Sequence, residues 1–193
     1  MTVEGLIKEK IRQEGRVISD DILKVDSFLN HQIDPLLMLE IGKEFAHRFG
    51  GEGVTKVLTV EASGIAVALM TGLSLKVPVV FAKKKQPSTM GTDTYCGQVR
   101  SFTREEVIEI VVAGSYLGPT DRVLVIDDFL ASGEAARGLL KIIEQAGATL
   151  VGFGTVIEKV FQSGGDFLRE KGIRVESLVR IGSLAGGQIE FID

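Results

Sequence analysis

The chain predicts an α/β fold, a parallel-sheet core with helices on both faces. Three observations lead there. Near-continuous Val, Ile and Leu runs recur at 56–60, 77–81, 122–126 and 149–157, as strands buried on both faces require. Helical patterns follow three of these runs, at 64–72, 133–146 and 164–171, which is the alternation of βαβ units. Apolar residues fill 45% of 193 positions, enough for a core between such layers.

Taken in order, Leu6 to Arg12 forms a short amphipathic helix that stops near Gly15. From Arg16 to Asp34 the polar and apolar mixture is too irregular for either period. Asp34-Pro35 opens a stronger helix, since a proline at the first helical position loses no hydrogen bond. Leu36, Leu37, Leu39, Ile41, Phe45 and Phe49 form its apolar face, and Gly50-Gly51 ends it. Lys56–Val60 is a strand, Gly64–Gly72 a helix and Val77–Phe81 a second strand. Ala82 to Phe102 breaks the rhythm: it is polar, contains Pro87 and Gly91, and carries Lys83-Lys84-Lys85. A loop of that length in a compact domain is usually functional, and Val107–Val112 is read as a strand returning from it. Arg122–Ile126, Thr149–Ile157 and Arg174–Arg180 are the remaining strands, with Arg174–Arg180 as the last central one. Periodicity leaves the strand order open.

The bulk numbers exclude some functions. A net charge of −4 does not suit a general nucleic-acid or membrane-surface binder, so a bound anion must be held by a local site. One cysteine, Cys96, rules out an intrachain disulfide framework and suits a reducing compartment. The first ten residues lack a secretory apolar run. The most apolar stretch, 64–72, is far shorter than the roughly 20 residues a bilayer needs. His31 and His47 do not have the spacing of a metal pair.

Chemistry concentrates in Val123-Leu124-Val125-Ile126-Asp127-Asp128-Phe129-Leu130-Ala131-Ser132-Gly133-Glu134-Ala135. An apolar strand ends in two carboxylates, a loop of small residues follows, and a helix begins. Ligands bind beyond the carboxyl ends of parallel strands, and a helix start offers free N–H groups to a phosphate. Ala131, Ser132 and Gly133 let the backbone approach an anion, while Asp127 and Asp128 suit two adjacent ribose hydroxyls. The alternative is a plain strand-turn-helix with a solvated acidic turn. A nucleotide-triphosphatase site is excluded, because no Gly-x-x-x-x-Gly-Lys-Ser/Thr loop is present.

This stretch resembles the phosphoribosyl pyrophosphate signature of the type I phosphoribosyltransferases. Val60-Glu61-Ala62-Ser63-Gly64-Ile65-Ala66 resembles the family's pyrophosphate loop, and Ala82-Lys83-Lys84-Lys85 the start of its catalytic loop. Residues 23–35 and Val156-Ile157-Glu158-Lys159 look most like the bacterial xanthine-specific members. The resemblance implies one domain with a small hood built from about 1–35 and 159–193. It implies ribose-phosphate transfer from phosphoribosyl pyrophosphate to a purine, xanthine first, with Mg²⁺ carried mainly by the substrate rather than by protein ligands. It further implies a cytoplasmic homodimer, with adenine and guanine or hypoxanthine as within-family alternatives. A purine-sensing repressor is the alternative of another class. Such repressors carry a DNA-binding domain, and the roughly 50 residues before the first core strand are not basic.

The same resemblance assigns roles. Asp127 and Asp128 would hold the diol. Ala131, Ser132, Gly133, Glu134 and Ala135 would form the phosphate loop, with the Glu134 side chain turned away from the anion. Many relatives have a Thr or Ser where this chain has Ala135, so one hydroxyl ligand is missing. Ala62, Ser63 and Gly64 would present N–H groups to pyrophosphate in a loop the family often holds with a cis peptide; otherwise Ser63 simply caps a helix. Lys83, as a catalytic group, and Lys84 would close over the pyrophosphate. Leu23, Asn30 and Lys159 would hold the base: Leu23 packs on the ring, Asn30 reads a second edge, and the donor-only ammonium of Lys159 selects an oxygen at purine position 6. Without the resemblance, Lys159 reads as a strand-end charge and Asn30 as a turn residue.

Overall fold

The computed structural model describes residues 2–85, 92–100 and 107–192. Helix α1, Val3–Glu14, starts where the Thr2 hydroxyl accepts a hydrogen bond from the Gly5 amide and ends at Gly15. The stretch with no clear period then resolves into a small antiparallel pair, β1 (Arg16–Ser19) and β2 (Ile22–Lys24), followed by a π-helical turn at Asp26–Asn30. Strands of three or four residues are too short to show a repeat, which is why the sequence looked irregular. Helix α2, Pro35–Phe49, begins as expected: the Asp34 carboxylate accepts from the amides of Leu36 and Leu37, both at 3.1 Å.

β3 (Lys56–Val60), α3 (Gly64–Leu75) and β4 (Val79–Ala82) form the first βαβ unit. The segment expected to be a long loop, 82–102, contains a strand, β5 (Thr94–Arg100), which pairs antiparallel with β6 (Val107–Ala113), the returning strand expected at 107–112, to form a two-stranded ribbon. Its polar residues are explained by its packing, since only one side lies against helix. Residues 86–91 and 101–102 of that expected loop lie outside the described residues. β7, Arg122–Leu130, runs four residues further than the apolar pattern suggested, so Asp127 and Asp128 lie inside a strand. α4 (Glu134–Ala146), β8 (Thr149–Lys159), α5 (Gly164–Glu170), β9 (Val175–Ser183) and β10 (Glu190–Ile192) complete the chain.

The main sheet has the order β10-β9-β8-β7-β3-β4. All its pairs are parallel except β10 on β9. β9, expected to be the last strand, is therefore covered at its outer edge by β10. Side chains alternate across β7: Leu124 and Ile126 enter one core, with residues of α1, α2 and α3, while Val123 and Val125 enter a second, with α4 and the ribbon. Both faces of the central strand are thus buried, as its continuous apolar run required. Among the described residues, no helix is long and apolar enough to cross a membrane.

Candidate active site

The carboxyl end of β7 brings the two aspartates to the strand ends beside β3, each 5% exposed. The Asp128 amide donates to Asp127 Oδ1 at 2.9 Å. Burial holds the Asp127 carboxyl well above its ordinary range, and the neighbouring Asp128 carboxylate pushes the same way, with Lys84 opposing. Asp128 lies at the centre of a small network. Its Oδ1 accepts from Ser63 Oγ at 3.0 Å and its Oδ2 from Asn30 Nδ2 at 3.1 Å. Segments 30, 63 and 128, remote in sequence, meet there.

Beyond β7 the chain turns through Ala131, Ser132 and Gly133, with Gly133 in the left-handed region at φ 82°. No side chain caps α4, so its first-turn amides remain available to an anion. Residues Ala131 to Ala135 line a cavity of about 120 Å³ that also touches Asp127 and Phe129. The Glu134 carboxylate faces away from it: one oxygen accepts from the Arg100 amide at 3.3 Å and the other lies 3.7 Å from Arg137 Nε.

A second cavity, about 240 Å³, adjoins the aspartates and is lined by Glu61, Ser63, Lys84, Asp127, Asp128 and Ala135 among others. The Glu61–Ala62 peptide is cis. Ser63 does not cap α3, because its hydroxyl bonds Asp128 instead. Gly64 is required by close approach: a Cβ there would crowd the Thr59 hydroxyl and lie 2.7 Å from Asp127 Oδ1. The two lysines separate. Lys84 lines the cavity and acts on Asp127. Lys83 is bonded through its backbone to Val111 at 2.9 Å, and its ammonium lies 5.7 Å from the centre of the Phe81 ring.

Lys159 ends β8 and is 9% exposed. Burial lowers its pKa, with Asp21 working in the opposite direction. Its ammonium donates to the Asp21 carbonyl at 2.6 Å and stands 5.4 Å from the centre of the Phe129 ring. The β1–β2 turn therefore closes over the end of β8. Leu23 is 6% exposed and packs into the α1–α2 core. Asn30 is held by its bond to Asp128.

Sequence reasoning missed Glu61, whose Oε1 accepts from the Lys84 amide at 2.6 Å and ties the loop after β3 to the start of the lysine segment. A carboxylate at a strand end, 23 positions before Lys84 of the lysine run, was the available signal. Phe129, left without a role in the sequence, lies beneath Lys159. A larger cleft of about 870 Å³ lies on the outer side of α4, between the ribbon and α5, and neither aspartate lines it.

No established family profile matches the chain. It is 83% identical over all 193 residues, covering 98% of the relative, to a xanthine phosphoribosyltransferase of Moorella thermoacetica. It is 57% identical over 186 residues to that of Bacillus licheniformis, covering 96% of each chain. Among solved structures it is similar to an APRTase from Giardia lamblia complexed with 9-deazaadenine, with TM-score 0.74 and 21% identity, covering 93% of this chain and 98% of that one. An adenine phosphoribosyltransferase from Rhodothermus marinus gives TM-score 0.71 and 22% identity, covering 92% and 99%. The structural likenesses show the fold, and the full-length identity shows the family: the chain belongs to the xanthine phosphoribosyltransferases, within the type I phosphoribosyltransferase family.

Proposed function

We infer that the protein transfers the 5-phosphoribosyl group from phosphoribosyl pyrophosphate to N9 of xanthine, giving xanthosine 5'-monophosphate and pyrophosphate. The 83% identity along the whole chain carries this reading. The site supplies a matching division of labour. The amides from Ser132 to Ala135 take the 5'-phosphate. Asp127 and Asp128 take the ribose hydroxyls, with Asp128 accepting and Asp127 able to share a proton. The loop at Ala62, Ser63 and Gly64 takes the pyrophosphate, and Lys84 neutralises charge on it as the bond to the ribose loosens. Lys83 belongs to the same segment, with its backbone bonded to Val111 of β6.

Leu23, Asn30 and Lys159 are assigned to the base. The Lys159 ammonium donates to the oxygen at position 6 and cannot accept from an amino group there, which separates xanthine from adenine. Catalysis rests on positioning and electrostatics: the base attacks the ribose carbon from the face opposite the departing pyrophosphate. Among the described residues, no three Asp, Glu, His or Cys side chains converge as a metal cage. Two carboxylates beside a phosphate-binding cavity fit a Mg²⁺ that arrives on the pyrophosphate substrate and offsets its charge.

The protein is read as a single cytoplasmic domain, residues 1–193, with a hood from about 1–35 and 159–193. A homodimer is proposed through the outer face of α3, where Leu69 and Leu73 are 51% and 62% exposed. The activity is tested by pyrophosphate release from phosphoribosyl pyrophosphate and Mg²⁺ with xanthine, guanine, hypoxanthine and adenine in turn. Preference for xanthine is expected. Preference for adenine would overturn the assignment of Lys159, and release with no base would overturn the activity.

A further inference from the structure

The phosphate loop is backed by a helix that could not hold itself in place. α5 has seven residues, fewer than a helix needs to be stable alone. Its first residue nevertheless braces the loop. The Gly164 amide donates to the Ala131 carbonyl at 2.9 Å. Gly133 and Gly164 meet backbone to backbone: a Cβ on Gly133 would lie 2.8 Å from the Gly164 Cα, and a Cβ on Gly164 would lie 2.7 Å from the Gly133 amide nitrogen. A shift of α5 therefore moves the loop that presents the anion-binding amides.

One turn further on, α5 is fastened to β8 through a buried carboxylate. Glu158, 1% exposed, takes both prongs of the Arg169 guanidinium, at 2.6 and 2.8 Å, and the Ser177 hydroxyl of β9 at 2.5 Å. Arg180 Nε stands 3.6 Å away. Gly165 lies flat against the same carboxylate, where a methyl group would overlap it. Burial works to raise the Glu158 carboxyl, but the bonds from Arg169 and Ser177 and the charges of Arg169 and Arg180 outweigh it and leave it below its ordinary range. The clamp is therefore ionised at neutral pH, and its bidentate geometry fixes direction as well as distance.

We propose that Glu158 is a positioning residue for the phosphate loop, acting through Arg169 and α5 on Ala131 and Gly133. This rests on the reading of that loop as the 5'-phosphate site. The Glu158 carboxylate bonds Arg169 and Ser177 and none of the residues assigned to the base, although Glu158 is joined to Lys159 in the chain. Loosening the clamp should thus weaken phosphoribosyl pyrophosphate and leave xanthine little changed.

The test compares wild type, Glu158→Gln and Gly164→Ala by steady-state kinetics, and by calorimetric titration with phosphoribosyl pyrophosphate and Mg²⁺. Glu158→Gln keeps the shape but weakens the charge-assisted fork, and Gly164→Ala presses on Gly133 without touching the clamp. Both should raise KM and Kd for phosphoribosyl pyrophosphate about tenfold, as expected when a binding group is displaced by a fraction of an ångström, with KM for xanthine changed less than about twofold. Glu158→Gln combined with Arg169→Gln, which restores a neutral hydrogen-bonded pair, should recover part of the loss. Folded variants, checked by thermal melting, that keep wild-type KM and Kd for phosphoribosyl pyrophosphate would overturn the proposal. So would equal changes for both substrates. If Glu158→Gln fails to fold, Arg169→Lys, which removes the two-pronged bond to Glu158 and leaves the loop residues untouched, decides the matter. A wild type that binds phosphoribosyl pyrophosphate without turnover would overturn the functional reading while Kd still tests the clamp; a wild type that does not bind it would overturn both.

Discussion

Asp127 is 5% exposed beside a second carboxylate, and burial first, then the Asp128 charge, raises its carboxyl well above its ordinary range. The folded chain keeps this proton to higher pH than the unfolded chain does. The contribution of the group to stability therefore falls as pH rises from the ordinary carboxylate range through the raised folded value. Asp127→Asn should melt higher than wild type at neutral pH, by about 2–4 °C for each kcal/mol relieved, and the gap should narrow towards acid pH. Melting curves at several pH values check this; a gap that does not depend on pH would refute it. The double variant Asp127→Asn with Asp128→Asn should keep the fold and lose turnover, and full activity would remove both residues from the site. Lys159→Ala should raise KM for the base roughly ten- to hundredfold, the worth of a hydrogen bond to a charged group, with a much smaller effect on phosphoribosyl pyrophosphate. Equal effects in the kinetics would take Lys159 out of the base site. The aspartates and the candidate phosphate loop could be singled out because they are neighbours in sequence. Asn30 and Lys159 stood out only through family resemblance, since 128 positions of chain separate them, and Glu61 did not stand out because its partner is the Lys84 backbone.

For the elements, legibility followed length. α2 and α4, at 15 and 13 residues, repeat their period often enough to be read, and β3, β7 and β8 show as apolar runs. Of the ribbon, β6 is read as a returning strand at 107–112, but β5 is not, because its alternation makes sense only once its partner is known. That partner is α4. Gly97 of β5 meets Gly138 of α4, and a Cβ on Gly97 would lie 2.8 Å from the Gly138 carbonyl carbon. Gly97→Ala should push the ribbon off the helix and cost about 1–3 kcal/mol, the usual penalty for overpacking. Denaturant unfolding measures this, and an unchanged midpoint would mean the contact has room to relax. The extension of β7 past its apolar run follows from pairing: Asp127, Phe129 and Leu130 remain in register with Thr155, Ile157 and Glu158 of β8, so the ladder outlasts the hydrophobic pattern that announced it.

Across the whole molecule, α/β architecture was legible from alternation, while strand order and the antiparallel edge at β10 were not, because pairing partners leave no mark on periodicity. The proposed dimer belongs to this scale. Leu69→Lys with Leu73→Lys should yield a monomer in sedimentation, and a wild type that is already monomeric would remove the interface. The ribbon has a bearing on how the protein survives heating. Lys83 bonds Val111 on one side of the ribbon, both ways at 2.9 Å. On the other, Gln145 accepts from the Cys96 amide at 3.0 Å and donates to its carbonyl at 2.6 Å. The glutamine thus occupies the backbone groups that an exposed strand edge would offer to a neighbouring chain. Gln145→Ala should leave the fold and open that edge as a template for association between chains, which light scattering during heating would read as earlier aggregation than in wild type.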